Sequence, residues 1–497
     1  MHPGVWHKRS DLDRMKYMVQ AGKDPWKTTF NLLRLDPKAS YNYAVQKNPA
    51  NNSLSRENPC DQCGQYESDA RAAYLNALMW YLTGDQRHAT KTIEILNAWA
   101  NLTNFYGGGT EPLSAGIYAS PLISAAEIIR YTNASWATAD IDKFEAMLVY
   151  PGYSATTVPT AAIAADQVTF YWRIYNGDPG RFGNQDIAAW KSVMAMGVFL
   201  DNRVMYDRGL RYLRSQPHRP DDLPYQPGPP NSSFPTPNAS SSAFQDEYTT
   251  SPNPGGPTPD YGGDGPINYY IYSNGQNQES SRDQSHGALG IGFLQEASEI
   301  AWNQGDDLYG TQNNRILSGL EFLSRYNVSM FKTYPDQPAP WVPTVASGEY
   351  VQPLARSRRW RPLQINPSDG GLEFLGPQWE MAVGHYAARL GLDPATSMRW
   401  TYRARAANFE HTGYETSGYK LDKIGWGGLT YHRPGLSPGD PAAFGSGTPQ
   451  YRMNVLPDTI EAENFDYFVL GGEGKTYHDL SPTNTGGQYR PTEAVDL

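Results

Sequence analysis

Two short polar segments stand directly before apolar helical patterns, and their residue types suit acid–base chemistry. The first is residues 183–186 (GNQD), which contain Asn184, and the second is residues 276–287 (QNQESSRDQSHG). On a helix, Arg282 and His286 are four residues apart and share one face. An arginine can stabilise a developing anion and a histidine can exchange a proton, so the pair predicts a proton-transfer site.

Each segment also has a purely structural interpretation. Asn and Asp are favoured at helix N-caps and in first turns, which would account for Asn184 and Asp186. Glu279, Arg282 and Asp283 would form a capping and ion-pair network. The functional interpretation of Asn184 is an amide at a helix N-terminus, where free backbone N–H groups and the helix dipole favour an anionic group.

One reaction class, the β-elimination of a uronic-acid polymer, uses these residue types together. The reaction neutralises a carboxylate, removes the neighbouring C5 proton and protonates the departing glycosidic oxygen. An Arg or Asn can stabilise the enolate, and a His or Tyr can exchange the protons. A glycoside hydrolase instead needs two opposed carboxylic residues, and no comparably clear acidic pair stands out in the sequence.

A basic segment, residues 356–361 (RSRRWR), places four arginines around one tryptophan. Guanidinium groups bind carboxylates in a fork, and an indole stacks on a sugar face. Arg358, Arg359 and Trp360 are therefore predicted to bind substrate. A solvated loop is the alternative interpretation of this segment.

Further substrate-binding residues are predicted beside these segments. Gln185 neighbours Asn184, while Glu279 and Gln284 flank the Arg/His pair. Trp379 is predicted to line a groove. His385 is predicted to be a packed or surface residue rather than a base.

Helical periodicity dominates the chain from Asp11 to about Leu213. Apolar residues recur at spacings of three and four over 70–81 and 89–102, with a break at 83–85, which predicts a helical hairpin. Further helical patterns cover 114–129, 141–149, 161–175, 185–200, 203–213, 283–302, 314–326, 373–392 and 394–408. Pairs of helices without sustained alternation predict an all-α bundle, solenoid or toroid.

Three stretches depart from this pattern. Residues 215–266 are crowded with Pro, Ser, Gly and Asn, which excludes regular helix, and we expect an ordered excursion near the site. Residues 267–273 (INYYIYS) predict a short strand before an Asn-Gly turn. Residues 456–497 predict short strands, too few for a β-sandwich of about 100 residues. The expected organisation is a helical catalytic domain over 1–455 and a small β segment over 456–497.

The composition limits the classes of partner. The chain has 497 residues, 39% of them hydrophobic, which is enough for a large core. Its net charge of −10 argues against binding nucleic acid through a basic face. No run approaches the roughly 20 apolar residues of a membrane span, so we expect a soluble monomer without a membrane partner. Charged residues are only 19% and aromatic residues 13%, which indicates a surface rich in Tyr and neutral polar groups.

The cysteines and possible glycosylation sites bear on location. Cys60 and Cys63 are predicted to form a small loop disulfide, since the redox alternative needs a βαβ context that is not evident. The opening residues show no apolar signal region, so the protein is either cytosolic or a mature secreted chain. N-glycosylation triplets begin at Asn51, Asn101, Asn133, Asn231, Asn238 and Asn327. With the Tyr-, Gly- and Pro-rich composition, they favour a secreted eukaryotic glycoprotein.

Several motifs in the same order resemble those of the alginate-lyase-like polysaccharide lyases. They are residues 2–5 (HPGV) with 11–15 (DLDRM), and the helical patterns over 72–81 and 93–99. The segment 278–286 (QESSRDQSH), with EASEIAWNQG ten residues later, looks most like polysaccharide lyase family 38. Members of that family act on β-1,4-linked polyuronates such as glucuronan or poly-mannuronate. The likeness covers about residues 2–430.

The tail from Ile460 to Leu497 resembles the first third of a carbohydrate-binding module of the family 6 or 35 type. The Glu-Ala-Glu element of such modules often helps to bind a structural calcium ion, and Glu461 and Glu463 match it. The rest of the module is missing from the sequence.

The resemblance implies an all-α-dominated fold, an (α/α) toroid built as an incomplete barrel of helical hairpins, with a small β appendage. It implies Asn184 and Arg282 as neutralisers of the substrate carboxylate, and His286 or a nearby Tyr as proton-transfer groups. Tyr272 is chosen because it lies closest in sequence to the Arg/His segment. The alternatives are Tyr248, Tyr261, Tyr269 and Tyr270. No cofactor or catalytic metal is implied.

We therefore expect a secreted, endo-acting lyase that binds an anionic polysaccharide and leaves a 4,5-unsaturated uronate at each new non-reducing end. Glucuronan is the favoured substrate, followed by poly-mannuronate or alginate. An (α/α)-toroid glycoside hydrolase and a non-catalytic polysaccharide-binding protein are the alternatives.

Overall fold

The computed structural model is predominantly helical. It describes residues 1–56, 59–106, 110–133, 135–149, 174–175, 177, 183–222, 267, 270–351, 366–368, 370–371, 378–412 and 425–434. Most of the predicted helix over 161–175, most of the excursion over 215–266 and the whole segment 456–497 lie outside these residues.

The described residues form helices along the whole length of the toroid. They are α1 (Arg9–Gln20), α2 (Trp26–Leu33), α3 (Cys63–Thr83), α4 (Gln86–Trp99), α5 (Glu111–Thr132), α6 (Thr138–Leu148), α7 (Gly183–Phe199), α8 (Arg203–Leu213), α9 (Gln284–Asn303), α10 (Thr311–Ser329), α11 (Gln378–Val383), α12 (Arg399–Thr412) and α13 (Gly427–Thr430). A 3-10 turn spans Pro37–Ala39 and a π-helical turn spans Gly384–Arg389. Two short strands, β1 (Ser53–Leu54) and β2 (Asn104–Phe105), pair in parallel.

The helices form two concentric layers. Each odd-numbered helix packs against the next odd-numbered one, from α1 through α3, α5, α7, α9 and α11 to α13, and α13 returns to α1. The even-numbered helices lie outside this ring, with α2 on α1, α4 on α3, α8 on α7, α10 on α9 and α12 on α11. This arrangement is an (α/α) toroid, and the predicted fold class is confirmed.

The burial of the inner helices explains their composition. Every residue of α7 is buried, as are most residues of α5 and α9. A helix that is apolar on all sides is typical of a core position. Helix α5 is long and apolar enough to cross a membrane, but its apolar stretch is entirely buried inside the toroid. A core helix of a globular protein has the same length and composition.

Local signals set several helix boundaries. Asn202 caps α8, with its side chain accepting a hydrogen bond from the backbone N–H of Met205, and α8 has the predicted bounds. A disulfide joins Cys60 to Cys63, the first residue of α3, as predicted. The pattern over 373–392 predicts one helix, but the described part of this range contains the short helix α11 followed by the π-helical turn, which ends at Arg389.

The first residues of the chain fasten three parts of the ring together. The His2 ring lies 3.1 Å from Glu127 Oε1 and 2.8 Å from Asp201 Oδ1. The backbone N–H of Gly4 donates to Glu127 Oε2 at 2.9 Å, and Asn303 Nδ2 donates to the carbonyl of Val5 at 3.1 Å. Segments from α5, the α7–α8 turn and α9 therefore meet on the N-terminal segment.

This anchor predicts a pH-dependent stability. The hydrogen bond with Glu127 raises the pKa of His2 above its usual 6.5, although partial burial opposes the shift. A raised pKa means that the stabilisation is fully present below pH 6.5 and is lost as the pH rises through the folded-state value. We expect the melting temperature of the wild type to fall, relative to that of His2→Gln, as the pH is raised from 6.5. Parallel melting profiles would contradict this role of His2.

Candidate active site

Three elements bring the site residues together: the first turn of α7, a hairpin over residues 270–279 and the start of α9. The hairpin is closed by the N–H of Tyr272, which donates to the carbonyl of Gln276 at 2.9 Å. Its turn needs Gly275, which has φ +88° and faces the carbonyl of Ser318 so closely that no side chain fits. Of the predicted strand over 267–273, the described residues form one isolated β-bridge, between Ile271 and Asn277.

A buried carboxylate lies at the centre of the cluster. Glu279 Oε1 accepts hydrogen bonds from Asn184 Nδ2 at 2.6 Å and from Arg282 Nη1 at 2.8 Å. Glu279 Oε2 accepts from the Asn184 backbone N–H at 3.1 Å and from the Tyr270 hydroxyl at 2.9 Å. The side chain of Glu279 is fully buried, so its contacts fix the positions of Asn184 and Arg282.

A second carboxylate orients the histidine. Asp283 Oδ2 lies 2.6 Å from His286 Nδ1, and Asp283 Oδ1 accepts from the His286 backbone N–H at 2.8 Å, which caps α9. Because the carboxylate accepts, the neutral imidazole carries its proton on Nδ1 and its lone pair on Nε2. Arg282 Nη2 lies 3.1 Å from this Nε2. Although burial opposes the change, hydrogen bonds from His286 hold the pKa of Asp283 below its usual value.

The cluster has a buried side and an open side. The side-chain exposure is 39% for His286, 22% for Arg282 and 23% for Asp283, against 0% for Glu279. The arginine and histidine therefore form the accessible face, and Glu279 with Asn184 supports them from below. A polyanion approaching this face meets a guanidinium next to an imidazole nitrogen with a lone pair.

Polar atoms beside the cluster lack partners. Asn184 Oδ1, Gln185 Oε1 and Gln278 Nε2 are buried and have no hydrogen-bond partner among the described residues. Buried polar groups are almost always hydrogen-bonded in folded proteins. Three such atoms on neighbouring elements indicate a place where a further polar group is accommodated.

Of the tyrosines proposed for proton transfer, the structure joins Tyr270 to the cluster. Tyr270 is buried, and burial together with the Glu279 charge raises the pKa of its hydroxyl well above the usual range. The ring fits against Gly183 and Gly290, where any larger residue would collide with it. Tyr270 therefore keeps its proton and supports Glu279.

The chosen tyrosine lies on the same hairpin. Tyr272 is partly buried three residues before the turn glycine, and its role in proton transfer stays a prediction. The alternatives Tyr248, Tyr261 and Tyr269 lie outside the described residues. The orienting role of Asp283 was missed, because the sequence interpretation used this residue only in a capping network. The spacing of Asp283 and His286, three residues apart at a helix start, is the signal that could have revealed it.

Two of the predicted substrate-binding residues have structural contacts. Gln284 Nε2 donates to the carbonyls of Ser280 at 3.2 Å and Ser368 at 2.8 Å, which fastens α9 to the neighbouring loop. Trp379 is fully buried in the core, so it offers no exposed indole face to a sugar. Periodicity could not reveal this, since apolar spacing is the same for a core and a groove residue.

The other predicted residues divide in two groups. Gln185 is buried next to Asn184 in α7, whereas Arg358, Arg359 and Trp360 lie outside the described residues. His385 is a packed residue, as predicted, and stacks on Tyr309 with ring centroids 3.9 Å apart. Burial lowers the pKa of His385 to about 2.

A buried ion pair ties the two site helices together within the ring. Lys191 of α7 binds Glu296 of α9, and both side chains are almost completely buried. The Lys191 ammonium also lies 4.3 Å from the ring centroid of Phe293. Within the described ranges, no group of three or more His, Cys, Asp or Glu side chains is arranged to hold a metal ion.

Residues 14–220 match the family model described as alginate lyase. Among solved structures, the chain is similar to alginate lyase A1-III from Sphingomonas species A1, with 13% identity and a TM-score of 0.49 over 87% of this chain and 100% of that one. It is also similar to an alginate lyase from Bacteroides ovatus, with 10% identity and a TM-score of 0.47 over 87% of this chain and 99% of that one. No curated protein matches the chain.

The family match, which covers the ring from α1 to α8, indicates that the chain is a polysaccharide lyase.

Proposed function

We propose that this protein is a secreted, endo-acting lyase that cleaves β-1,4-linked polyuronate of the alginate type by β-elimination. Glucuronan is the favoured substrate and poly-mannuronate the next. The observation that carries the proposal is the partly exposed pair of Arg282 and His286, held by Glu279 and Asp283 at the start of an inner helix of the toroid. The likeness to family 38 polysaccharide lyases and the alginate lyase family match support the same substrate class.

The proposed reaction begins with binding of the substrate carboxylate. Arg282 Nη2 turns from His286 Nε2 to the carboxylate, while Nη1 stays on Glu279. The side-chain amide of Asn184, which donates one N–H to Glu279, is proposed to donate its other N–H to the same substrate carboxylate as charge moves onto it. This exchange frees the lone pair of Nε2, so the arriving substrate itself activates the base. Preorganised donors of this kind stabilise an enolate strongly in a site shielded from water.

Proton transfer then completes the elimination. His286 Nε2 removes the C5 proton, and the electron pair of that bond forms the C4–C5 double bond as the bond from C4 to the glycosidic oxygen breaks. Tyr272 is proposed to protonate the departing oxygen. Solvent afterwards returns a proton to Tyr272 and removes one from His286, so the site is restored.

The substrate range tests this proposal. Glucuronate and mannuronate differ only at C2, so their C5 protons lie on the same face, whereas guluronate has the opposite configuration at C5. We expect purified protein to cleave glucuronan and poly-mannuronate, with much slower cleavage of poly-guluronate, measured by the ultraviolet absorbance of the unsaturated product. Fast cleavage of poly-guluronate alone would contradict the proposed placement of the base.

The dependence on Asp283 gives a further expected result. Asp283→Asn retains a side-chain oxygen that can cap α9, but it removes the carboxylate that orients the imidazole. We expect kcat/KM to fall by about 10- to 100-fold, as is typical for loss of an orienting partner, with an unchanged melting temperature. An altered pH profile of kcat/KM should accompany the loss, and a wild-type rate and profile would exclude the orienting role.

A further inference from the structure

A cavity of about 660 Å³ lies on the outer wall of the toroid, separate from the candidate active site. Its walls come from the outer helix α10, the start of α12, the loop around Trp341 and the tip of the 270–279 hairpin. No residue of the Asn184, Glu279, Arg282 and His286 cluster lines it. Its size is within the range of about 300–1,000 Å³ that is typical of small-molecule sites.

One wall of this outer cavity combines indoles with a guanidinium. Arg325 lies 4.0 Å from the ring centroid of Trp341 and 5.8 Å from that of Trp400. Its Nε donates to Gln337 Oε1 at 2.8 Å, and no carboxylate of the described residues forms an ion pair with it. Trp400 is partly buried, and Arg403 lies 4.4 Å from its ring centroid. The indole lines the cavity, where its apolar surface can contact a flat partner.

Other residues that line the cavity are polar and uncharged. They include Asn274 and Ser273 from the hairpin tip, and Asn313 and Asn314 from the start of α10. Asn313 and Asn314 adopt left-handed backbone angles with φ of 56° and 60°, which cost free energy in residues other than glycine. Amide side chains both donate and accept hydrogen bonds, which suits the hydroxyl groups of a sugar.

Two carboxylates also line the outer cavity, and both are engaged. Glu321 accepts from the backbone N–H groups of Trp400 at 3.0 Å and Thr401 at 2.7 Å, so it caps the start of α12. Glu349 accepts from Trp341 Nε1 at 3.2 Å. Both acids therefore hold the indole-bearing segments in place, and Arg325 remains the cation with donors to offer a ligand.

We propose that the outer cavity is a second, non-catalytic binding site for a short stretch of the polysaccharide chain, with Trp400 stacking on a pyranose ring and Arg325 and the amides binding its polar groups. The proposal rests on the proposed function for its ligand class. A second site would hold the polymer near the active site without taking part in cleavage, and the hairpin that supplies Glu279 at its base supplies Asn274 at its tip.

Calorimetric titration with a mannuronate hexasaccharide tests this site. The parent protein carries His286→Asn, which removes the base and keeps Arg282 to bind the substrate carboxylate, and two binding events are expected. Adding Trp400→Leu or Arg325→Met should weaken one event by about tenfold and leave the other unchanged. Arg87→Met is the matched control, because Arg87 lies over Tyr41 at the same 4.0 Å but far from this cavity in the fold. Equal binding by all three variants would overturn the proposal. Competition by poly-glutamate for the weaker event would also overturn it, because that event would then reflect charge alone and not recognition of a sugar.

A kinetic measurement separates this proposal from the proposed function. In the otherwise wild-type enzyme, Trp400→Leu and Arg325→Met should raise KM for polymer and leave the turnover of short oligosaccharides unchanged. If the wild-type protein cleaves none of the polymers, the lyase proposal is refuted. The calorimetric result would still decide whether the second site exists. An unchanged KM for polymer in both variants would count against the second site alone.

Discussion

Replacing Arg282 by Met is expected to lower kcat/KM on polyuronate by about 10²-fold or more, because the guanidinium stabilises charge that develops only in the transition state. His286→Asn should cause a loss of similar size through the absent proton acceptor. The two residues contact each other through Arg282 Nη2 and His286 Nε2 at 3.1 Å. Their effects should therefore be far from additive, since each acts on the same step.

The competing interpretation of these residues is a capping and ion-pair network, and the structure contains that network as well. The two roles are separated by measuring stability with activity. For His286, whose side chain is partly exposed, a catalytic role requires a large loss of kcat/KM with a small change in melting temperature. Arg282→Met also leaves the buried Glu279 without its cation, so its loss of kcat/KM is measured at a temperature where the variant is fully folded. Arg282→Lys should recover part of the activity by restoring the charge without the fork. A near-wild-type rate in Arg282→Met would remove this residue from the site.

Lys191→Met is expected to cause the largest loss of stability, about 3–5 kcal/mol in the free energy of unfolding. The substitution leaves Glu296 buried between α7 and α9 without its cation. Burial already raises the pKa of Glu296, and Lys191 is the group that opposes this shift. Urea denaturation followed by circular dichroism measures the change.

A double variant shows whether the loss comes from the unpaired charge. Lys191→Met with Glu296→Leu replaces the whole pair by apolar side chains of similar size, which is often neutral for stability. We expect the double variant to recover most of the stability lost by the single one. If the double variant is as unstable as Lys191→Met, the loss comes from packing around Phe293 instead.

The double variant should also retain most of the lyase activity of the wild type. The ion pair lies within the ring, and Asn184 and His286 belong to the first turns of the same helices. A recovered fold with recovered activity would show that the pair serves to join α7 to α9.

Local patterns were sufficient to predict much of the fold. The bounds of α8 and the start of α9 follow from caps and periodicity within a few residues, since these are short-range effects. The closed ring needed more than periodicity, because the contact of α13 with α1 joins residues about 400 positions apart along the chain. Arg14 Nη2, for example, donates to the carbonyl of Thr430 at 2.9 Å.

The site was predictable where its residues are close in sequence. Arg282 and His286 share a contact, as expected from their spacing at the start of a helix. The link from Asn184 to Glu279 spans 95 residues, so no local pattern could show that a buried glutamate would hold both proposed carboxylate-neutralising groups. The same limit applies to Trp379, whose helical spacing did not distinguish the core from a groove.

The most direct test compares the two ends produced at each cleavage of poly-mannuronate or glucuronan. Purified wild-type protein is incubated with the polymer, and new reducing ends and unsaturated uronate groups are measured in the same sample. β-Elimination predicts one unsaturated group for every new reducing end. Reducing ends without unsaturated groups would contradict the lyase proposal in favour of hydrolysis, and tight binding without new ends would indicate a non-catalytic polysaccharide-binding protein.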